Sequence, residues 1–349
     1  VPGHADASVT LHLGHGRTRA GRVGDRVGVD AYVLLDSAAR GIVPRVEVTR
    51  VDGRTRLAAA QTHNRMEGRD LVRIVSRDEA ARCEAGACAP AAARPPAPSL
   101  YPDFPYTGYR WAMSIDLNAC IGCAACTIAC QAENNIPVVG RDEVLRGREM
   151  HWIRVDRYYE GDRDAPRTVF QPVPCMQCED APCEEVCPVE ASVHDAEGLN
   201  VQVYNRCVGT RFCSNNCPYK VRRFNWFGYA QDVPALDAQR NPEVTVRMRG
   251  VMEKCSYCIQ RVERARIDAD RENRRIADGD VVTACQAVCP TQAIVFGDLN
   301  DPASAVNARK ASPLDYALLA ELNTRPRTTY LPRIGDAVAD AAAGGGEPS

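Results

Sequence analysis

From Arg110 onward, short β-prone runs, RWAMSID, HWIRVDRYY and TVFQPV, alternate with polar, turn-rich stretches and with the cysteine groups. The pattern predicts strands that lead into loops, with the thiols held on the loops. ASVHDAEGLNVQV reads as a hairpin with Glu197-Gly198 at its turn. The period changes after Cys258, where IQRVERARIDADRENRR predicts a charged amphipathic helix with Ile259, Val262 and Ile267 on a shared face. DYALLAELNTRPRTTYLPRI predicts a short helix and then a proline-punctuated arm, lying on a partner or on the surface of its own domain.

The first 80 or so residues are rich in Val, Gly and Arg and contain no cysteine. Within them VEVTRVDGRTRLAAAQ (46–61) predicts two strands around the turn dipeptide Asp52-Gly53. This part is expected to be a small β domain spanning 1–82, with no chemistry of its own. Residues 83–108 are dominated by Ala and Pro and read as an extended linker. Cys83 and Cys88 at its mouth suit a local disulfide or two free thiols better than a metal site, because no other ligand lies nearby in sequence. The domain carrying the cysteine groups is expected over 109–335, and 336–349 is expected to be a disordered tail.

With 45% hydrophobic and 25% charged residues in 349, the composition is that of a globular protein with real cores. A net charge of -2 gives no overall field for nucleic acid or an anionic membrane. No apolar run approaches the roughly 20 residues that cross a bilayer. The N-terminus has no initiator Met, basic region or apolar core of a signal peptide, so the chain reads as a piece of something longer.

Cysteine changes the picture. Of 17 cysteines, 15 fall in four groups: Cys120, Cys123, Cys126, Cys130; Cys175, Cys178, Cys183, Cys187; Cys207, Cys213, Cys217; and Cys255, Cys258, Cys285, Cys289. A disulfide scaffold is unsuited to a chain this large. Zinc sites show paired knuckles or mixed Cys/His sets rather than the order C-x2-C-x2-C-x3-C. That order, with proline after Cys187, Cys217 and Cys289, is the spacing of thiolates around 4Fe-4S cubanes. The third group keeps three thiols, and Thr210 stands where the first group has Cys123.

These motifs carry a resemblance. Residues 109 to about 335 resemble the four-cluster ferredoxin subunits of molybdopterin-type oxidoreductases. The wording TGYRWAMSIDLNACIGCAACTIACQAENNIPVVG, the run from PVPCMQCEDAPCEEVCPVE to KVRRFNWF, and LAELNTRPRTTYL are similar to the iron-sulfur subunits of alternative complex III. PGHADASVTLHLGHGRTRAGRVG is similar to the end of that family's molybdopterin-oxidoreductase-like domain, which holds no molybdenum cofactor. The resemblance implies an α+β fold of tandem bacterial-ferredoxin-like modules with insertions, preceded by that small β segment.

It also implies ligand sets that cross the groups: Cys120, Cys123, Cys126 and Cys289; Cys130, Cys255, Cys258 and Cys285; Cys175, Cys178, Cys183 and Cys217; and Cys187, Cys207 and Cys213. The count 4 + 4 + 4 + 3 leaves Thr210 at a vacant corner. A neutral hydroxyl is a poor substitute for a soft anionic donor, so three 4Fe-4S clusters and one 3Fe-4S cluster are expected. The competing reading is a cubane whose last iron binds water or Thr210.

From Gly198 to Gln231 there is no acidic residue, while Arg206, Arg211, Lys220, Arg222 and Arg223 interleave with Phe212, Tyr219, Phe224, Trp226, Phe227 and Tyr229. Such a patch can dock on a partner, raise a cluster's potential or be a solvated face; the resemblance favours docking near a quinol site. It implies an electron-transfer subunit of a quinol-oxidising respiratory complex on the periplasmic side of the membrane. Its partners would be multi-haem cytochrome c subunits and an integral-membrane quinol-binding subunit of the polysulfide-reductase type. No catalytic residue, nucleic acid, haem or molybdenum cofactor is expected on this chain; no C-x-x-C-H motif occurs in it. The alternative is the ferredoxin subunit of a molybdenum reductase for polysulfide, sulfoxide or nitrate.

Overall fold

A computed structural model describes residues 7–35, 37, 41–88, 98–161, 166–230 and 234–335. The expected disordered tail and the centre of the expected linker, 89–97, lie outside these residues. In chain order, β1 (Ile74–Ser76) runs into α1 (Arg77–Arg82), whose N-cap Ser76 accepts the Glu79 N–H. There follow β2 (Trp111–Asp116), α2 (Ala125–Glu133), α3 (Gly140–Leu145), β3 (Arg154–Glu160) and β4 (Arg167–Val173). Next come α4 (Pro182–Glu185), β5 (Ser192–His194), β6 (Asn200–Gln202), α5 (Phe212–Asn216), β7 (Arg223–Phe224) and β8 (Met252–Glu253). The chain continues through α6 (Ile259–Arg271), α7 (Ala284–Ala287), β9 (Ile294–Asp298), α8 (Ala305–Lys310), β10 (Thr328–Leu331) and β11 (Arg333–Gly335).

The sheet that organises the molecule has the order β10-β2-β9. β2 and β9 are antiparallel, with Ile115 opposite Ile294, although almost the whole cysteine-bearing region separates them in sequence. One module is therefore nested inside another: the strand pair β2/β9 brackets the hairpin β5/β6 and everything attached to it. β2 is buried along nearly its full length, and Trp111 stacks between Tyr109 and Phe296 at centroid distances of 5.1 and 5.4 Å. Each such aromatic pair adds about 1 kcal/mol beyond its area burial.

Three expectations are corrected here. The stretch 46–61 forms no strand and no hairpin; its Val48 and Leu57 are 70% and 89% exposed. Alternating side chains stabilise a strand only where one face finds a layer to pack on, and none is present among the described residues. Toward the end of 1–82, residues 61–76 join the cysteine-bearing domain. Gln61 exchanges two side-chain hydrogen bonds with the backbone of Arg157, Val72 is buried in the common core, and β1 pairs in parallel with β11.

The second correction concerns the C-terminal arm, which is not a surface strap. Its β10 is the buried edge partner of β2, with Tyr330 fully enclosed and donating to the Pro172 carbonyl at 2.8 Å. The short helix ahead of it is a 3-10 turn, Ala320–Leu322. The third correction is the face of α6: Val262, Ala265 and Ala269 point inward, and Ile267 is half-exposed. Small alanines, rather than the larger Ile267, let this helix approach the core. Cys83 and Cys88 form a disulfide.

Candidate metal centres

The strand pairings bring thiols together that sequence keeps apart. Cys120 follows the C-terminal end of β2 and Cys289 precedes the N-terminal end of β9, so the antiparallel register of the pair sets them side by side. The hairpin β5/β6, with Ser192 opposite Gln202, does the same for Cys187 and Cys207. Cys120, Cys123, Cys126 and Cys289 line one crevice, closed by Ile121, Val155, Pro172 and Ile294. Burial first, and then the proximity of Cys255, Cys258 and Cys285, push the Cys130 thiol well above its ordinary value. Burial, then Cys175 and Cys217, do the same to Cys178.

The sets also touch one another in succession. Cys285 feels Cys126, Cys255 feels Cys175, and Cys213 feels Cys183. The order is therefore the Cys120 set, the Cys130 set, the Cys175 set and the Cys187 set. At one end Cys123 is exposed, and at the other Thr210 is exposed.

The two ends share a backbone. In CIGCAAC (120–126) and CVGTRFC (207–213), Gly122 and Gly209 take φ of 68° and 77°, and Ala124 and Arg211 take φ of 60° and 64° before α2 and α5 begin. A Cβ on Gly122 would sit 2.5 Å from the Phe170 ring, and one on Gly209 would sit 2.7 Å from the Gly250 carbonyl oxygen. Glycine is required at both by its φ and by that close approach. The cysteines that precede proline match too: the Ala293 N–H donates to Cys289 Sγ at 3.3 Å and the Ala191 N–H to Cys187 Sγ at 3.1 Å. Burial works against ionisation of both thiols, yet backbone donors outweigh it and hold each below the usual thiol range.

Further donors reach sulfur. Asn134 Nδ2 lies 3.6 Å from Cys130 Sγ and 3.9 Å from Cys258 Sγ, the Met252 N–H donates to Cys207 Sγ at 3.4 Å, and Thr283 Oγ1 is 3.3 Å from Cys285 Sγ. Hydrogen bonds to ligand sulfurs are among the features that set cluster potentials. Sequence reasoning misses all of these donors; the one available signal is Asn134, four residues beyond Cys130 on the same helical turn.

The donor set fits iron-sulfur cores. Grouped cysteine thiols, with no histidine or carboxylate among them, suit a multi-iron core in which each iron takes one cysteine.

The basic-aromatic stretch does not form one surface. Arg222, Arg223 and Tyr219 are buried, while Arg206, Arg211, Lys220, Phe212 and Phe227 are exposed. Trp226 is flanked by Arg211 at 4.5 Å and Arg148 at 5.6 Å from its ring centroid. Beside Thr210 lies a polar cavity of about 260 Å³ lined by Arg148, Arg211, Ser214, Asn215, Arg222 and Arg223. A larger apolar groove of about 470 Å³, between α6 and Val244, has no thiol in its lining. No helix among the described residues is long and apolar enough to cross a membrane.

Two families described as 4Fe-4S dicluster domains match the chain, over residues 119–191 and 166–240. The iron-sulfur cluster-binding subunit of menaquinone reductase from Nitratidesulfovibrio vulgaris is 41% identical over 230 residues, 64% of this chain and 89% of that protein. A putative dimethyl sulfoxide reductase iron-sulfur subunit from Halobacterium salinarum is 35% identical over 230 residues, 64% and 79%. A selenate reductase subunit from Mesobacillus selenatarsenatis is 33% identical over 241 residues, 65% and 73%. Tandem ferredoxin-type cysteine loops on a mixed helix-and-strand frame, shared along most of the length of such relatives, place this chain in the family of 4Fe-4S electron-transfer subunits of oxidoreductase complexes.

Proposed function

We propose that this chain is the electron-transfer subunit of a quinol-oxidising complex of the alternative complex III type. In this reading the first three thiol sets each hold a 4Fe-4S cluster, and Cys187, Cys207 and Cys213 hold a 3Fe-4S cluster with Thr210 at its open corner. When bound, such clusters carry one electron at a time, which lets a two-electron quinol be linked to one-electron haem acceptors. The protein supplies spacing, enclosure and donors to sulfur. The observation that carries the reading is the succession of four thiol sets with an exposed corner at each end, the three-thiol set being one of them.

Arg211, Phe212, Val208 and Phe227 surround the Thr210 corner with exposed cationic and apolar surface, suited to an integral-membrane quinol-binding subunit. The opposite end would face multi-haem cytochrome c subunits on the periplasmic side. The described part of residues 1–82 would be the end of a molybdopterin-oxidoreductase-like domain.

Electron paramagnetic resonance of the air-oxidised native complex tests this, because oxidised 3Fe-4S centres are paramagnetic and oxidised ordinary cubanes are not. A 3Fe signal that disappears on adding reduced quinol is the expected outcome. Active complex without that signal would remove both the ligand assignment and the proposed electron entrance. The sulfoxide and selenate reductase relatives favour a second reading, in which the same wire feeds a catalytic subunit that reduces such a substrate. Stoichiometric molybdenum in the purified complex would select it.

A further inference from the structure

Among the described residues, four arginines are more than nine-tenths buried: Arg222, Arg223, Arg247 and Arg327. Three of them have carboxylate partners, Arg223 with Glu149 at 2.5 Å, Arg247 with Glu253 at 2.8 Å and Arg327 with Glu179 at 2.8 Å. Arg222 differs. Its Nη1 donates to Gln202 Oε1 at 2.8 Å, and its Nη2 lies 2.6 Å from Ser192 Oγ, 2.8 Å from Asn200 Oδ1 and 2.9 Å from Cys183 Sγ. All but the last are neutral oxygens. A guanidinium cannot shed its proton at ordinary pH, and a buried ion without a counter-charge is strongly unfavourable. The sulfur in contact, Cys183 Sγ, would supply the counter-charge as a cluster ligand.

The place of Arg222 is as informative as its partners. It follows Cys217 by five residues, contacts Cys183 of the Cys175 set, and lies beside Cys213 of the Cys187 set. It therefore stands where the last two sets of the succession meet. Ser192 and Asn200, which fix its head, are the first residues of β5 and β6, so the hairpin that pairs Cys187 with Cys207 also holds the cation in place.

We infer that Arg222 sets the reduction potential of two neighbouring centres at once, those of the Cys175 and Cys187 sets, by acting as a fixed cation and sulfur donor between them. Reduction adds negative charge to a cluster, and a positive charge held in a low-dielectric interior favours the reduced form. Arg222 is in this sense a tuning residue, and the inference rests on reading those cysteines as cluster ligands.

The test is a redox titration of the complete complex, followed by electron paramagnetic resonance, for wild type, Arg222→Gln, Arg222→Lys and Gln202→Glu. Gln202→Glu is nearly isosteric and puts a carboxylate against Nη1, neutralising the cation while leaving the guanidinium in place. Expected are lower midpoint potentials for the 3Fe centre and for one cubane in Arg222→Gln and Gln202→Glu, two unmoved cubanes, and potentials close to wild type in Arg222→Lys. If Arg222→Gln loses its clusters, Gln202→Glu decides. Four unmoved midpoints in Gln202→Glu, an equal movement of all four, or loss of clusters in that variant too would overturn the inference. A wild-type complex lacking the 3Fe signal would instead defeat the ligand reading beneath it.

Discussion

The Cys120 and Cys207 loops are two copies of one device, and they differ where it matters. Both turn on a left-handed glycine, both enter a helix through a second left-handed residue, and both meet a cysteine that precedes proline and is cradled by a backbone N–H. One corner is filled by Cys123 and backed by Ile121, Val155 and Pro172. The other carries Thr210 and opens on arginines, Ser214 and Asn215. Loss of the thiol has not relaxed the loop, so the backbone conformation is set by packing, by Phe170 over Gly122 and by the Gly250 carbonyl over Gly209, rather than by the fourth sulfur. The corner residue and its surroundings thus differ on a common frame, and the surroundings are polar at the end that carries Thr210.

The largest effect should come from removing iron, which abolishes whatever the two ends share beyond packing. In the iron-free chain, burial followed by Cys120 pushes Cys126 up to about 11, and burial followed by Cys175 pushes Cys255 up to about 12. A thiol whose folded value is raised above the unfolded value of about 8.5 contributes stability that is complete below that value and lost as pH climbs through the folded one. The unfolding free energy of iron-free protein, read from urea titrations, is expected to fall from about pH 8 upward, by about 1.4 kcal/mol per thiol for each pH unit between its unfolded and folded values. A flat profile would mean that the thiols do not stay buried together without iron.

Exchanging the corner residues comes next. Thr210→Cys should convert the 3Fe centre into a cubane and erase its air-oxidised signal, since the loop already has the conformation of its four-thiol counterpart. Cys123→Thr should create a second 3Fe signal at the other end with little loss of stability, because Cys123 is exposed. Unchanged spectra in both variants would show that the corners do not govern cluster type.

The smallest effect separates the two frames. Alanine at either glycine incurs about 1–3 kcal/mol from its positive φ, but at Gly122 it meets a partly exposed phenyl ring that can swing away, and at Gly209 a backbone oxygen that cannot. Gly209→Ala should therefore melt lower than Gly122→Ala, at about 2–4 °C per kcal/mol. The reverse order in calorimetry would place the rigid frame at the other end.

Much of the fold is legible in the sequence because its signals are local: cysteine spacing marks the loops and the repeat, and β-prone runs and a turn dipeptide mark the strands at 111–116, 154–160 and 167–173 and the hairpin at 192–202. What escapes such reading depends on distant partners. TTYL (328–331) reads as an arm because its partner is β2, far away in sequence. VEVTRV reads as a strand because alternation alone does not reveal whether a covering layer exists. Arg222 groups in sequence with the exposed Arg206, Arg211 and Lys220, and no local pattern distinguishes an arginine turned inward on a thiol from one turned out to water.

The nesting of the modules has a consequence for how the protein is made. During synthesis the Cys175 and Cys187 sets are complete once residue 217 has emerged, whereas the Cys130 and Cys120 sets wait for Cys285 and Cys289. β9 and β10, which flank β2, emerge later still. The Cys175 and Cys187 half can thus gather its thiols first, while Cys120, Cys123, Cys126 and Cys130 remain without their partners until residues 255–289 have been made.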